Sequence, residues 1–476
     1  MKRLLLLATL LIASPAVAQD SLRRDVDTAL ATAPAGTRFG LLVVDDSGKE
    51  IVAIDPDKRF IPASNTKIFT TATAYASLGD LTHPDAAAGT RVRIEQGDAV
   101  LQGRGDARLS AAPDCTTDCL ATLADAVAAK TRRVHDVVGD DSWFPDERWS
   151  PGMSWNNIPT RSGTGISALT LDDNEIALTV TPGTLGMPPR VTMPAYYALE
   201  NRAVTVASGK TDIAFDRVPN GTVLRLTGTI AVGAAPDKER IGVDDPAHYA
   251  AWTFRTMLRA RGVTVTGAVT TRHRSLDASD DPAKRGAAPP AHPPEAPALA
   301  ALLPGPLAED VRITNKVSQN LHAELLLRRV GHIAGSGSIA DGQAVLRRVM
   351  ATAGVPRAAF DFSDGSGMST YNRIAPRAAV LLLRWITAQP WGAAWRETLP
   401  VGGLDGTLAR RFGGTTLDRK LFAKTGSLNA TAALSGWMIA KSGRTLTFSI
   451  LANDIPDGGS ATKAMDAALV VIADAN

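Results

Sequence analysis

The chain has 476 residues, with 51 lysines and arginines against 48 aspartates and glutamates. That length exceeds what one hydrophobic core usually organises, so two or three domains are expected. The near balance of charge, with no basic tract carrying interleaved aromatics, argues against a nucleic-acid binder and leaves small molecules or polymers as partners.

Residues 1–18 read as a secretory signal: Lys2-Arg3, an apolar run over 4–13, and Ala16-Val17-Ala18 as a small-residue cleavage site. The run is short of the roughly 20 residues a spanning helix needs, so export with cleavage before Gln19 is expected. Apolar runs at 39–44 and 50–54, separated by Asp45-Asp46-Ser47-Gly48-Lys49, predict a β-hairpin. Pro62-Ala63 then leads into Ser64-Asn65-Thr66-Lys67, which opens a helix and puts the serine and the lysine on one face.

Beyond about His83-Pro84 the pattern changes to short alternating strands, such as 91–94 and 98–101, marking the start of an inserted module. Its two cysteines, Cys115 and Cys119, are the only ones in the chain, and in an exported protein a structural bridge closing a small loop is favoured over free thiols. Further on, the pattern predicts an alanine-rich helix over 119–130, a strand over 134–139, an aromatic, turn-rich stretch over 143–165, a strand over 221–228 and a helix over 246–261. Eight prolines between 277 and 306 mark a linker. Helices follow at 310–329, 338–353 and 375–388, then strands at 419–424, 432–440 and 445–452, and a last apolar helix from about Ala461.

This order predicts an α/β (α+β) protein in which one domain, residues 19–85 and 298–476, shares a single sheet between its two halves. The strand-rich insertion occupies 86–280, as two nested subdomains, and the Pro-rich linker 281–297.

Ser64 and Lys67 are a nucleophile and its candidate base, because a serine hydroxyl attacks poorly until a neighbour takes its proton. The seven histidines (His83, His135, His248, His273, His292, His322 and His332) show neither metal-ligand spacing nor a triad, which leaves lysine as the base. The pattern is weak alone, and Ser460-Ala461-Thr462-Lys463 repeats it. Two other patches can complete a site: Ser318-Gln319-Asn320, inside the helical segment 315–324, and Lys424-Thr425-Gly426-Ser427 at the end of a strand. Ser-x-Asn also occurs at Ser154 and Ser427, whereas Lys-Thr-Gly occurs once.

In this order the three motifs resemble those of penicillin-binding proteins and serine β-lactamases. The family's order selects Ser64, since Ser460 follows the other two motifs. The separation of Ser64 from Ser318 (318 − 64 = 254 residues) resembles the class C low-molecular-mass penicillin-binding proteins, the D-alanyl-D-alanine carboxypeptidase and endopeptidase family. Stretches 103–110, 168–174, 364–369 and 405–411 fit the same family. His322 departs from it, standing where a tyrosine is usual, as does Gly305, which replaces a serine.

The resemblance implies a transpeptidase-like domain, a sheet flanked by helices, interrupted by the insertion. It implies that Ser64 attacks the D-Ala-D-Ala carbonyl, that Ser318 relays a proton to the leaving amine, and that Asn320 holds Lys67 and the substrate amide. Lys424 and Thr425 would bind the terminal carboxylate, and the N–H groups of Ser64 and Ser427 would form the oxyanion hole, with Gly426 letting the strand lie close. Lys67 must be neutral to act, and burial and the charge of Lys424 are expected to depress its pKa. Asp146, beside Trp143 and Glu147, is the candidate partner for the free amine of the stem peptide's diamino acid. No metal or organic cofactor is implied. The implied partners are peptidoglycan stem peptides, with β-lactams as covalent inhibitors, and the implied location is the periplasm. β-Lactamase activity and a peptidoglycan-binding scaffold are the rival readings.

Overall fold

The computed structural model describes residues 15–288, 290 and 295–476. Most of the signal-peptide span 1–18 lies outside the described residues, as does part of the Pro-rich stretch. Helix α1 (Pro15–Leu30) leads into an antiparallel hairpin of β1 (Arg38–Val44) and β2 (Glu50–Ile54). A 3-10 turn, Ala63–Asn65, runs straight into α2 (Thr66–Ser77), whose side chains are buried from Thr66 to Ala74.

The chain then builds a strand-rich region. β3 (Arg91–Glu95), β4 (Asp98–Gln102), α3 (Leu120–Lys130), β5 (Val137–Asp140), β6 (Glu175–Thr181), β7 (Val223–Ala231), β8 (Asp237–Gly242), α4 (Pro246–Ala260) and β9 (Val269–Arg272) follow in order. One sheet runs β9-β5-β4-β3 and is edged by Ala300–Ala301; β6 pairs with β8, and β7 is the centre of a separate sheet. Leu101, Leu123, Leu169, Phe254 and Leu258 share the core of this region. Cys115 and Cys119 form the expected disulfide, with Cα atoms 5.7 Å apart, in the loop that ends at the N-cap of α3. The Pro-rich stretch does not begin as free chain. Asp281 caps a helical turn, Pro282–Arg285, and Arg285 Nη2 lies 2.6 Å from Asp341 Oδ1.

The last third contains α5 (Leu307–Lys316), α6 (Asn320–His332), α7 (Ile339–Thr352), α8 (Pro376–Thr387), β10 (Leu421–Leu428), β11 (Thr431–Ile439), β12 (Thr445–Asn453) and α9 (Thr462–Ala475). An antiparallel sheet runs β10-β11-β12-β1-β2, with Leu41 opposite Ile450 and Val43 opposite Phe448, so strands from both ends of the chain are neighbours. Alternation along β11 sends Leu434 and Met438 towards α1 and α9 and Trp437 towards α2, α6 and α8. The result is the expected mixed architecture of a sheet between two helical layers. Burying each such leucine or phenylalanine is worth about 1.5–3 kcal/mol.

The helix expected at 310–329 is two helices. Ser318 has φ +65°, a left-handed conformation that cannot continue a right-handed helix, and Gln319 Oε1 restarts the chain by accepting the Leu321 N–H at 3.2 Å. Ser318-Gln319-Asn320 therefore occupies a corner between α5 and α6 rather than a helix interior. The strand expected at 134–139 is likewise split into Arg133–Val134 and Val137–Asp140, with the Asp136 N–H turned to Asp98 Oδ1. Among the described residues no helix is long and apolar enough to cross a membrane.

Candidate active site

Ser64 sits in the 3-10 turn that precedes α2. Its neighbour Ala63 has φ +47°, a left-handed conformation costing an alanine about 1–2 kcal/mol, which surrounding structure has to hold in place. Lys67 is one turn on and fully buried. Its Nζ makes three contacts: Ser64 Oγ at 2.9 Å, Asn320 Oδ1 at 2.6 Å and the Ser366 carbonyl at 2.6 Å. An ammonium can donate to all three. A neutral amine keeps two donors, for the acceptor-only Asn320 and Ser366 oxygens, and turns its lone pair to the Ser64 hydroxyl.

Burial is the main cause that lowers the Lys67 pKa, to about 7, while the carboxylates of Asp364 and Glu324 resist the fall. Lys424 was expected to be the second depressing influence. The repulsion between the two amines is mutual, and burial and Lys67 together hold Lys424 well below an ordinary lysine. Lys424 Nζ donates to Ser318 Oγ and to the Thr425 carbonyl, both at 2.9 Å.

The three motifs thus meet through two linked hydrogen-bonded sets, Ser64-Lys67-Asn320 and Ser318-Lys424, joined by the corner between α5 and α6. Asn65 Nδ2 donates to the Lys424 carbonyl at 2.8 Å, tying β10 to the turn that carries Ser64. Gly426 is needed for this approach, because a Cβ there would stand 2.6 Å from the Pro62 carbonyl and 3.0 Å from the Asn65 nitrogen. Thr425 Oγ1 is 2.7 Å from Thr407 Oγ1, and Ser427 is exposed where β10 nears its end. Asn320 Nδ2 donates to the Ser162 carbonyl at 2.9 Å, so residues of the strand-rich region also border the site. The rival Ser460 and Lys463 stand at the start of α9, where the Ser460 hydroxyl accepts the Thr462 N–H and Lys463 is exposed.

Asp146 is engaged elsewhere. Its carboxylate accepts from Arg148 Nε at 3.0 Å, while Trp143 stacks on His332 and Glu147 takes Arg328 at 2.7 Å. His322 is buried with Nε2 3.0 Å from Asp173 Oδ1. Its Nδ1 is 3.0 Å from Asp310 Oδ1, a second acidic contact. Burial disfavours the imidazolium, yet the two acids outweigh it and raise the pKa to about 9. Asp173 reaches His322 from a turn, Asp172-Asp173-Asn174, in which all three residues have φ between +49° and +57°.

Sequence reasoning gave no role to Glu324, Asp364 or Ser366, although their stretches stood out. Glu324 carried a usable signal, since four residues after Asn320 is the same face of a helix. The side chains hydrogen-bonded together at Ser64 are a hydroxyl, an amine and an amide. Among the described residues, Asp98, His135 and Asp136 gather in metal-ligand fashion, but the Asp98 and Asp136 carboxylates accept backbone N–H groups.

Residues 22–476 match the model of the D-Ala-D-Ala carboxypeptidase 3 (S13) family. A D-alanyl-D-alanine carboxypeptidase of Actinomadura sp. (strain R39) is 34% identical, over 94% of this chain and 85% of that protein. The D-alanyl-D-alanine carboxypeptidase DacB of Haemophilus influenzae is 24% identical, over 92% of this chain and 90% of its own length. The fold is similar to crystal structures of penicillin-binding protein 4 from Haemophilus influenzae. One has a TM-score of 0.78 at 22% identity and another, complexed with a β-lactam, a TM-score of 0.70 at 20% identity; both cover 93% of this chain and 98% of the other.

Proposed function

The chain belongs to the D-Ala-D-Ala carboxypeptidase 3 (S13) family and is a peptidase of that class; on that premise we propose that it works through an acyl-Ser64 intermediate on peptidoglycan stem peptides. The observation that carries this reading is the three-way contact of a buried Lys67 with Ser64, Asn320 and the Ser366 carbonyl.

Ser64 Oγ attacks the carbonyl between the two D-alanines as its proton passes to neutral Lys67 Nζ. The oxyanion is held by the N–H groups of Ser64 and Ser427. Collapse breaks the C–N bond, and Ser318, held by Lys424, relays to the leaving amine the proton that Lys67 took from Ser64, which leaves Lys67 neutral again. Water then cleaves the ester and regenerates Ser64. Lys424 and Thr425 receive the terminal carboxylate. A β-lactam acylates the same serine because its strained amide presents the same carbonyl. Endopeptidase action on cross-linked stem peptides, export to the periplasm, and the division into a split domain (19–85 and 298–476) around an insertion (86–280) belong to the same reading. Asp146, held by Arg148, is left out of it.

Labelled penicillin marks the wild-type chain and releases no label into Ser64→Ala, and the wild type frees D-alanine from a pentapeptide. Labelling that persists in Ser64→Ala refutes the mechanism. Cleavage of a cross-linked peptide dimer, measured beside the pentapeptide, tests the endopeptidase activity.

A further inference from the structure

We infer that Glu324 is a positioning residue of this reaction: buried one helical turn beyond Asn320, it fixes the Gly365-Ser366 backbone that anchors Lys67 and supplies that lysine with a counter-charge. The inference rests on the acyl-Ser64 reading and deepens it.

Asn320 and Glu324 are four residues apart on α6 and so face the same way. Asn320 takes one Lys67 N–H directly, and Glu324 acts one step further back. Its Oε1 accepts the N–H of Gly365 at 3.0 Å and of Ser366 at 2.8 Å, and the Ser366 carbonyl accepts Lys67 Nζ at 2.6 Å. The peptide bearing that carbonyl is held from its other end, since the Gly367 N–H donates to Asp364 Oδ1 at 2.9 Å. Asp364 also takes the Ser369 N–H and the Asn372 amide, which stabilise its charge. Glu324 has fewer donors and is 6% exposed, and burial followed by the Asp364 charge raises its pKa to about 7.

The charged groups facing Lys67 are therefore Glu324 from α6, Asp364 from the 364–369 loop and Lys424 from β10, with Arg328 behind Glu324 and bonded to Glu147. Lys67 and Glu324 titrate in the same range, near neutral pH, and a charged Glu324 raises the lysine. A protonated Glu324 removes one of the two counter-charges and eases Lys67 towards its neutral form, the one that accepts the Ser64 proton.

The test is the pH profile of the penicillin-labelling rate between pH 5 and 9. Wild type rises through about pH 7, where Lys67 becomes neutral. Glu324→Gln keeps an acceptor oxygen for both N–H groups but removes the charge. Its midpoint moves to lower pH by about 1 unit, the low end of what an opposite charge produces, because Asp364 stays in place as the larger counter-charge. A purely structural role lowers the rate at every pH and leaves the midpoint in place, and that result overturns the inference. Glu324→Asp keeps the charge and loses the reach, so its midpoint stays with wild type while its maximal rate falls. A Glu324→Asp midpoint that moves to lower pH by about 1 unit also overturns the inference, and this variant, read against wild type, carries the test if Glu324→Gln does not fold. Failure of the acyl-Ser64 reading shows separately, as absent wild-type labelling or as label retained by Ser64→Ala.

Discussion

Replacing His322 with glutamine gives a stability difference that depends on pH in a calculable way. In the folded protein the imidazole titrates at about 9, against 6.5 for an ordinary histidine, because Asp173 and Asp310 outweigh the penalty of burial. Between those values the native state holds a proton that the unfolded chain has lost, so stability must fall as pH rises. The contribution is complete below pH 6.5 and gone above about 9, and 2.5 pH units at 1.36 kcal/mol each come to about 3 kcal/mol. Urea denaturation of wild type and His322→Gln at pH 6 and pH 10 measures this, since groups common to both chains cancel in the difference. The advantage of wild type should shrink by about 3 kcal/mol across that interval. A difference that stays constant to within about 1 kcal/mol would mean that His322 is neutral in the fold, and the charge clamp would be wrong.

Gly426→Ala must push β10 away from the Pro62 carbonyl and the Asn65 nitrogen. The penicillin-labelling rate should fall by about 100-fold or more, the usual loss when an oxyanion donor is displaced, and an unchanged rate would show that the approach is slack. Arg217 is fully buried, 2.5 Å from Asp244 and 4.4 Å over the ring of Tyr197. Arg217→Met should destabilise the protein by about 3–5 kcal/mol in denaturant titrations, by stranding the Asp244 charge, and adding Asp244→Asn should recover part of that loss.

The two hairpin strands, the three C-terminal strands and the helices that cover them were legible because each has a clean apolar period and a polar turn at its end. The corner at Ser318 was not. A left-handed serine leaves no mark in a hydrophobic pattern, and the apolar positions of α5 and α6 continue across it as if unbroken. Motif order brought Ser64, Lys67, Asn320, Ser318 and Lys424 to notice together, but the electrostatics around them came from farther away. Sequence reasoning credited burial and Lys424 with lowering the Lys67 pKa, and burial leads, but the two acids that oppose the fall, Asp364 and Glu324, went unseen. Asp146 is a similar case: the sequence shows Arg148 beside it, and only the fold shows the guanidinium turned back onto the carboxylate.

Order of synthesis makes the shared sheet a matter of timing. β1 emerges early with β2 as its only neighbour, and its other edge waits for β12, made close to the end of the chain. Ser64 and Lys67 are likewise present from the start, but Asn320 and then Ser366 must be synthesised before the amine acquires its remaining partners. On the acyl-Ser64 reading, an unfinished chain is unarmed. The same interval leaves an apolar strand edge open, so the enzyme is most exposed to wrong pairing just when it is still harmless.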